Sequence, residues 1–351
     1  MILKLRHVDI FLLCAFALLP NLSFCQQEKN SGDNGTDEYI EQFSGQVNLK
    51  FDIDSDIERY VVKSSDNEFD IRPNLTVQNR ISVNYRFLTI GLGFASDFLP
   101  WNKPDTLKGK TEAFGVGLKF SYKKWVQSFS YSVVNGFYLD NTADFVNGWV
   151  KGIDPYVQFP QLQANIFRGY TLYRFNPKFS LNALSIQTER QLKSAGSFLI
   201  QLSYSNFIMD NKVKLTGSNS SQRSDNFEVV AAFGYYYTYV LNQRFYVSAG
   251  LSPSVGYNFT KLLTRLPTGE VTSRFSDPIF KISGRGALGY TTNRFFIGGD
   301  ITFSHASHSN NDTSNEIVTA QTTYQIFVGY RFSPPRFLVK SLDKAENVFR
   351  K

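Results

Sequence analysis

The stretch Leu75-Thr76-Val77-Gln78-Asn79-Arg80-Ile81-Ser82-Val83-Asn84-Tyr85-Arg86 decides the fold. Its odd positions read Leu, Val, Asn, Ile, Val, Tyr; its even positions read Thr, Gln, Arg, Ser, Asn, Arg. Side chains of an extended chain point alternately to two faces. The stretch is therefore a strand with one apolar face, broken only at Asn79, and one polar face.

The same alternation recurs downstream. Leu88, Ile90, Leu92 and Phe94 alternate with Thr89, Gly91, Gly93 and Ala95. Phe114, Val116, Leu118 and Phe120 alternate with small residues and Lys119. Later runs begin at Phe198, Phe227, Phe245, Phe295 and Tyr324, the last ending at Phe332. Segments of about ten residues with this dyad period are the signature of membrane barrels, whose lipid and lumen faces alternate. No stretch after residue 25 is apolar for the ~18 residues that a spanning helix needs.

Connections sharpen the reading. Arg86-Phe87, Lys123-Lys124, Asn176-Pro177, Leu241-Asn242-Gln243 and Thr292-Asn293 read as short turns. Ser96 to Lys110, Asn135 to Gln163, Thr260 to Ser276, and Ala306 to Ile317 read as longer polar loops. Short turns at one end and long loops at the other fit the periplasmic and outer ends of a barrel. With a hairpin at Met209-Asp210-Asn211 and an early strand near Arg59 to Lys63, the expected fold is an all-β, closed antiparallel transmembrane barrel of about 12 to 14 strands.

The start of the chain is an export signal. Lys4 and Arg6 precede an apolar run from Ile10 to Leu19, Pro20 breaks it, and Ser23 and Cys25 are small residues two apart. This layout predicts cleavage after Cys25. The expected organisation is signal peptide 1–25, flexible lead-in 26–45, barrel 46–332 and charged tail 333–351, located in the cell outer membrane. The two cysteines, Cys14 and Cys25, leave with the signal, so no disulfide or Cys-based metal site is expected. The rival organisation is a soluble or Cys25-anchored periplasmic β-protein.

Composition agrees with the barrel. Charged residues are 19%, below the ~25% of soluble domains. Aromatic residues reach 16%, with 33 Phe and 19 Tyr, as strands and interfacial girdles require. Net charge is +7, but the cations are spread along strand ends and loops, not clustered on one face, so no nucleic-acid partner is expected.

Ile71-Arg72-Pro73-Asn74, the run from Val83 to Phe94, the run from Gln187 through Thr188-Glu189-Arg190-Gln191-Leu192-Lys193-Ser194-Ala195-Gly196-Ser197 to Phe198, and Val328-Gly329-Tyr330-Arg331-Phe332 together resemble an uncharacterised Bacteroidetes outer-membrane family, known only as a domain of unknown function. The resemblance covers about Val47 to Phe332. It implies an outer-membrane barrel and brings no assigned activity or functional residue.

Two groups of residues are candidates for chemistry. In Ser304-His305-Ala306-Ser307-His308-Ser309-Asn310, His305 and His308 stand near Ser307 and Ser309. A His activating a Ser nucleophile is sound hydrolytic chemistry, and the run resembles the His-x-Ser-Asn element of lipid A deacylases. The plainer alternative is a solvated polar loop. The second group is the lumen-lining charges Arg80, Lys119, Lys281, Arg285, Asp300 and Arg331. They either favour anions in a pore or form an internal salt-bridge network with Glu112, Glu228 and Asp300. Asp140, Asp144 and Asp154 lack the spacing of a calcium loop, and two His make no metal site. No metal or cofactor is expected. The expected partners are outer-membrane lipid, the barrel-assembly machinery and a small solute or surface ligand of unknown identity. The role is thus a channel, binding or structural component, with an outer-membrane lipid hydrolase as the rival.

Overall fold

A computed structural model of the chain describes residues 36–55, 59–64, 67–95, 102, 105–217, 219–309 and 316–349. The expected signal peptide, 1–25, lies outside them. In chain order the strands are β1 (Ile40–Gln42), β2 (Val47–Asp54), β3 (Tyr60–Ser64), β4 (Asn67–Arg72), β5 (Gln78–Tyr85), β6 (Leu88–Phe94), β7 (Glu112–Tyr122), β8 (Trp125–Leu139), β9 (Gln158–Arg174), β10 (Glu189–Gln191), β11 (Ala195–Asn211), β12 (Ser221–Leu241), β13 (Phe245–Leu266), β14 (Gly269–Thr291), β15 (Phe295–Ser309) and β16 (Glu316–Phe332).

Twelve of these strands form a closed antiparallel ring in the order β2-β5-β6-β7-β8-β9-β11-β12-β13-β14-β15-β16. The ring shuts where β16 returns to β2, Val328 opposite Phe51 and Tyr330 opposite Leu49. Closure gives every stave a partner on both sides, which matters because an unsatisfied backbone group in lipid costs several kcal/mol; only the far ends of the longer strands, such as 269–278, run past a neighbour. Among the described residues, no helix is long and apolar enough to cross a membrane.

The alternation resolves into two faces. Leu92 is 48% exposed, Val116 43%, Ile297 43% and Ile326 67%. Such residues stay exposed only on a surface meant for a non-aqueous neighbour. Intervening positions such as Asn48, Lys50, Asp52, Ser82 and Asn84 are buried on the inward face. The apolar face points out and the polar face points in, the reverse of a water-soluble sandwich.

Four connections at one end are short: 86–87, 123–124, 242–244 and 292–294. They share that rim with Val47 and Phe332. Most connections at the other end are longer. Four sequence expectations are corrected. Met209-Asp210-Asn211 is not a hairpin turn but the end of β11, paired with β9 and β12. Asn176-Pro177 is not a tight turn but the start of a 175–194 connection holding a single helical turn, Asn182–Ser185, and β10. Thr260 to Ser276 is not a loop, because β13 and β14 stay paired until Leu266 faces Gly269. Once a strand leaves lipid, polar residues such as Thr264, Arg265, Thr272 and Arg274 occupy both faces, so the apolar alternation stops although the hydrogen-bond ladder does not. The early strand exists as β3, but it forms a hairpin with β4 instead of a stave. The end of the expected lead-in forms β1, which pairs with β10. Beyond the barrel, Arg336–Phe349 is helical.

Candidate functional site in the barrel interior

The interior chemistry begins on β2, whose even residues Asn48, Lys50, Asp52 and Asp54 are all buried. Lys50 Nζ lies 3.4 Å from Asp52. Arg80, on neighbouring β5, bridges Asp52 at 3.5 Å and Asp54 at 3.3 Å. Gln325 donates to Asp52 Oδ1 at 2.7 Å. Farther round the wall, Arg285 pairs with Asp300 at 3.0 Å. Charges buried this way persist only when paired and hydrogen-bonded.

The structure thus gives Arg80 and Arg285 carboxylate partners. The expected Glu112 is not among them, for it pairs with Lys110 in an exposed contact. Lys281, half-buried, faces Ser254 and Ala306 in register. Sequence reading missed Lys50, Asp52 and Asp54. The signal was there: Asn48, Lys50, Asp52 and Asp54 alternate with Val47, Leu49, Phe51 and Ile53.

The remaining interior cations do something else. Arg331, 1% exposed, donates from Nε and NH2 to the Gln187 carbonyl at 3.1 and 2.8 Å, and from NH1 to the Thr292 carbonyl at 2.5 Å. Asn48 donates to the same Gln187 carbonyl at 2.6 Å. Lys50 reaches the Ser185 carbonyl at 3.2 Å, and Lys119 reaches Ser185 Oγ at 2.9 Å. Arg174 donates to the Phe179 carbonyl. Inward-facing side chains from β2, β7, β9 and β16 therefore converge on the 175–194 connection, which lies in the mouth at the short-turn rim. Cations suit this target, because the carbonyls after a helical turn have no intrahelical partner and carry partial negative charge.

Apolar packing seats the same segment. Phe179 and Leu184 pack with Val126, Leu172, Leu199, Tyr246 and Ala287 from the wall. The Arg331 guanidinium lies 4.0 Å from the Phe43 ring centroid and 4.7 Å from that of Phe296, within the ~6 Å reach of a cation–π contact. Gln187 takes a left-handed φ of 59°, a conformation non-glycine residues rarely adopt. Its side chain donates to the Ala183 carbonyl at 2.5 Å and to the Tyr246 hydroxyl at 3.3 Å.

The opposite mouth holds the β3–β4 hairpin. Tyr60 stacks on Phe207 at 4.7 Å and meets Phe137 edge-on at 5.8 Å. Tyr60 and Ile71 pack against Val134, Leu162, Ala164, Ile166 and Met209. Asp70 braces the hairpin through Arg59 at 2.8 Å and Arg72 at 2.6 Å, while the Asp70 amide donates to Asn141 Oδ1 at 2.9 Å and Arg72 reaches Asp140 at 3.2 Å beyond the hairpin.

The His/Ser candidates lie apart from both features. His305 is exposed on the outward face, opposite Ile282 and Ala320. Ser307 and His308 belong to β15, opposite Phe280 and Ile279; their side chains lie outside the described residues. Among the described side chains, no Ser hydroxyl hydrogen-bonds the His305 ring.

A family model described as Domain of unknown function (DUF4421) matches residues 33–332. The chain belongs to this family. The DUF4421 match runs from before β1 through the last stave, so it includes both mouth segments. No curated protein matches the sequence. Among solved structures, the chain is similar to the outer membrane protease OmpT from Escherichia coli, with 9% identity, a TM-score of 0.32, and 83% of this chain and 96% of that one covered. An outer membrane protein of Vibrio cholerae, also called OmpT, gives 8% identity, a TM-score of 0.31, and 84% and 97% coverage. The ferric yersiniabactin uptake receptor FyuA from Yersinia pestis gives 10% identity and a TM-score of 0.29, over 81% of this chain and 43% of that one. At these scores the DUF4421 barrel rests on its own closed ring and outward apolar face.

Proposed function

We propose that this chain is an outer-membrane barrel whose two mouths are occupied by its own polypeptide, serving as a gated channel or binding chamber for a small polar solute. On this reading the chain is exported through a signal cleaved after Cys25. The barrel-assembly machinery then inserts it into the outer membrane of a bacterium of the Bacteroidetes kind, with the short-turn rim in the periplasm.

One observation carries the reading: Arg331 and Asn48, buried on the wall, both spend their donors on the Gln187 carbonyl. A general porin has no use for buried cations that hold a backbone segment in its mouth. A chamber that must stay shut does. The serine-rich wall between the mouths, including Ser203, Ser205, Ser254 and Ser283, and the Arg80 and Arg285 ion pairs, suits a hydrated solute.

Planar-bilayer recording tests the proposal. The intact protein is expected to show little steady current. A variant in which Ser180–Thr188 is replaced by a Gly-Ser linker of equal length is expected to show larger and more frequent openings. A steady, wide-open conductance from the intact protein would overturn the occluded reading, as would a linker variant as silent as its parent.

A further inference from the structure

We propose that the short-turn rim is a binding belt for anionic phospholipid headgroups; the inference rests on the membrane reading above. The four tight connections on this rim carry Arg86, Lys123, Lys124, Arg244 and Arg294, and none of them contains an acidic residue. The opposite rim is mixed, with Asp105, Glu112, Asp140, Asp144 and Asp154 in or beside its connections. The tight turns of this rim are thus purely cationic; Glu38 and Glu41, in the mouth beside them, are paired with Lys193 and Arg190.

Backbone geometry adds an independent observation. Arg86 and Lys123 sit at φ of 52° and 51°, the left-handed region that Gly and Asn enter at lower cost. Turn chemistry alone selects Asn-Gly or Gly-Gly in such tight hairpins. Long cations persist at these positions despite the backbone. Strain of this kind supports an inference from observed outlier to function.

The surroundings name the occupant. Tyr122 and Trp125 stand exposed on either side of Lys123-Lys124, with Phe245 and Phe295 exposed beside two other turns, and Tyr and Trp settle at headgroup level. Arg86 lies 5.1 Å from the Tyr85 ring centroid and Lys123 lies 5.7 Å from that of Tyr122. Among the described residues, Lys123, Lys124, Arg244 and Arg294 make no salt bridge, so their charge is unspent. Between two of the turns opens a recess of about 580 Å³ lined by Arg190, Asn242, Arg244, Tyr290 and Asn293. It is polar and large enough for a glycerophosphate headgroup; Arg190 pairs with Glu41, so Arg244 supplies its cation. Each cation within a Debye length of an anionic surface adds to the attraction, and salt screens it.

Trp125 is a built-in reporter at this rim. In a Trp101→Phe/Trp149→Phe background, the full chain is folded into phosphatidylcholine vesicles. Energy transfer from Trp125 to dansyl-phosphatidylglycerol is then compared with transfer to dansyl-phosphatidylcholine. The expected result is a preference of about fivefold for the anionic lipid, fading at 0.5 M salt. It vanishes in the variant Lys123→Asn/Lys124→Asn/Arg244→Gln/Arg294→Gln and survives in Lys261→Gln/Arg274→Gln at the far rim. Heat-modifiable mobility on gels verifies that each variant is folded. The salt titration of the four-cation parent reads the same property without relying on the quadruple variant. Insertion with equal transfer to both lipids would overturn this inference alone. Failure to associate with phosphatidylcholine vesicles would sink the membrane reading instead. A preference that persists in the quadruple variant would assign the effect elsewhere and overturn the belt.

Discussion

Arg331 shows how one side chain couples wall to gate. Among the described residues its hydrogen-bond partners include no carboxylate, only the Gln187 and Thr292 carbonyls and the Thr291 hydroxyl. Gly329, two residues before it, has no room for a Cβ, which would run into the Phe296 ring. That ring is one of the two that flank the guanidinium. Replacing Arg331 with Met keeps the volume, removes both guanidinium hydrogen bonds to the Gln187 carbonyl and leaves that carbonyl to Asn48 alone. Hydrogen bonds from a charged donor contribute ~1.5–3 kcal/mol each, so the connection is expected to loosen by on the order of 3 kcal/mol. Converted at ~1.4 kcal/mol per factor of ten, cleavage of the 175–194 connection by added protease should rise about 100-fold while the staves resist. An unchanged cleavage rate would show that apolar packing alone seats the segment.

At the other mouth the decisive residue is Asp70. Burial by itself pushes its carboxyl up, but hydrogen bonds from Arg72 and Arg59 outweigh burial and hold it below its ordinary value. A depressed carboxyl contributes stability that is present above the unfolded value, ~3.9 for Asp, and is lost as pH falls through the folded value. The hairpin should therefore stay seated from pH 8 down to 5 and loosen only below about pH 4. Hydrogen exchange at the Tyr60–Ser64 amides reads this. Loosening near pH 6 would point to a different group. Asp70→Asn should loosen the hairpin across the whole range.

Among elements, legibility followed one rule. Where a strand lies in lipid, one face must be apolar, and period two is plain: β5, β6, β7 and β13 read directly from sequence. The turns at Arg86-Phe87 and Lys123-Lys124 read equally well, because apolar runs stop on either side of them. The tips of β13 and β14 did not, since water on both faces removes the contrast on which the period depends. The 175–194 connection was illegible for another reason. Asn176-Pro177 is good turn chemistry, and the segment's few apolar residues, Phe179, Leu184 and Ile186, find partners only inside a barrel that must already exist. The run beginning Gln187-Thr188-Glu189 stood out in the sequence, but nothing local says that its carbonyls face Arg331. The candidate site was half legible: Arg80, Arg285 and Asp300 could be read as inward charges, whereas Asn48, Lys50 and Asp52 acquire meaning only beside the connection they hold.

The same rule yields a prediction for the long hairpin. β13 and β14 contain 22 and 23 residues, and at ~3.3 Å per residue each is about twice as long as a tilted crossing of a ~30 Å hydrocarbon layer requires. Of their tips, among the described residues, only Leu263–Arg265 touches another stave, pairing with Ser221–Arg223 of β12. Removing Leu263–Thr272 and joining the ends with Asn-Gly, a favoured two-residue turn, should leave the urea midpoint of the barrel unchanged within about 1 kcal/mol. A collapse of stability would mean that the tips brace the ring.

For the whole molecule, the account is one of inversion and closure. The sequence places apolar side chains on the outside of a twelve-stranded ring and paired charges within it, and two segments of the chain turn back into the mouths. These features depend on a single assignment of faces. If the faces were exchanged, Arg80, Lys50 and Asp52 would lie in lipid, where a charge costs several kcal/mol. The ring would also present Leu92 and Ile326 to a wet interior.

Single-cysteine scanning along β13 tests that assignment most directly. Cysteines placed one at a time from Val247 to Val255 are spin-labelled in the vesicle-embedded protein, and their collisions with oxygen, which concentrates in lipid, are compared with those of a water-soluble nickel reagent. The account predicts strict alternation: oxygen-accessible labels at 247, 249, 251, 253 and 255, and labels shielded from lipid at 248, 250, 252 and 254. Alternation of the opposite sense, or nickel access at every position, would contradict it.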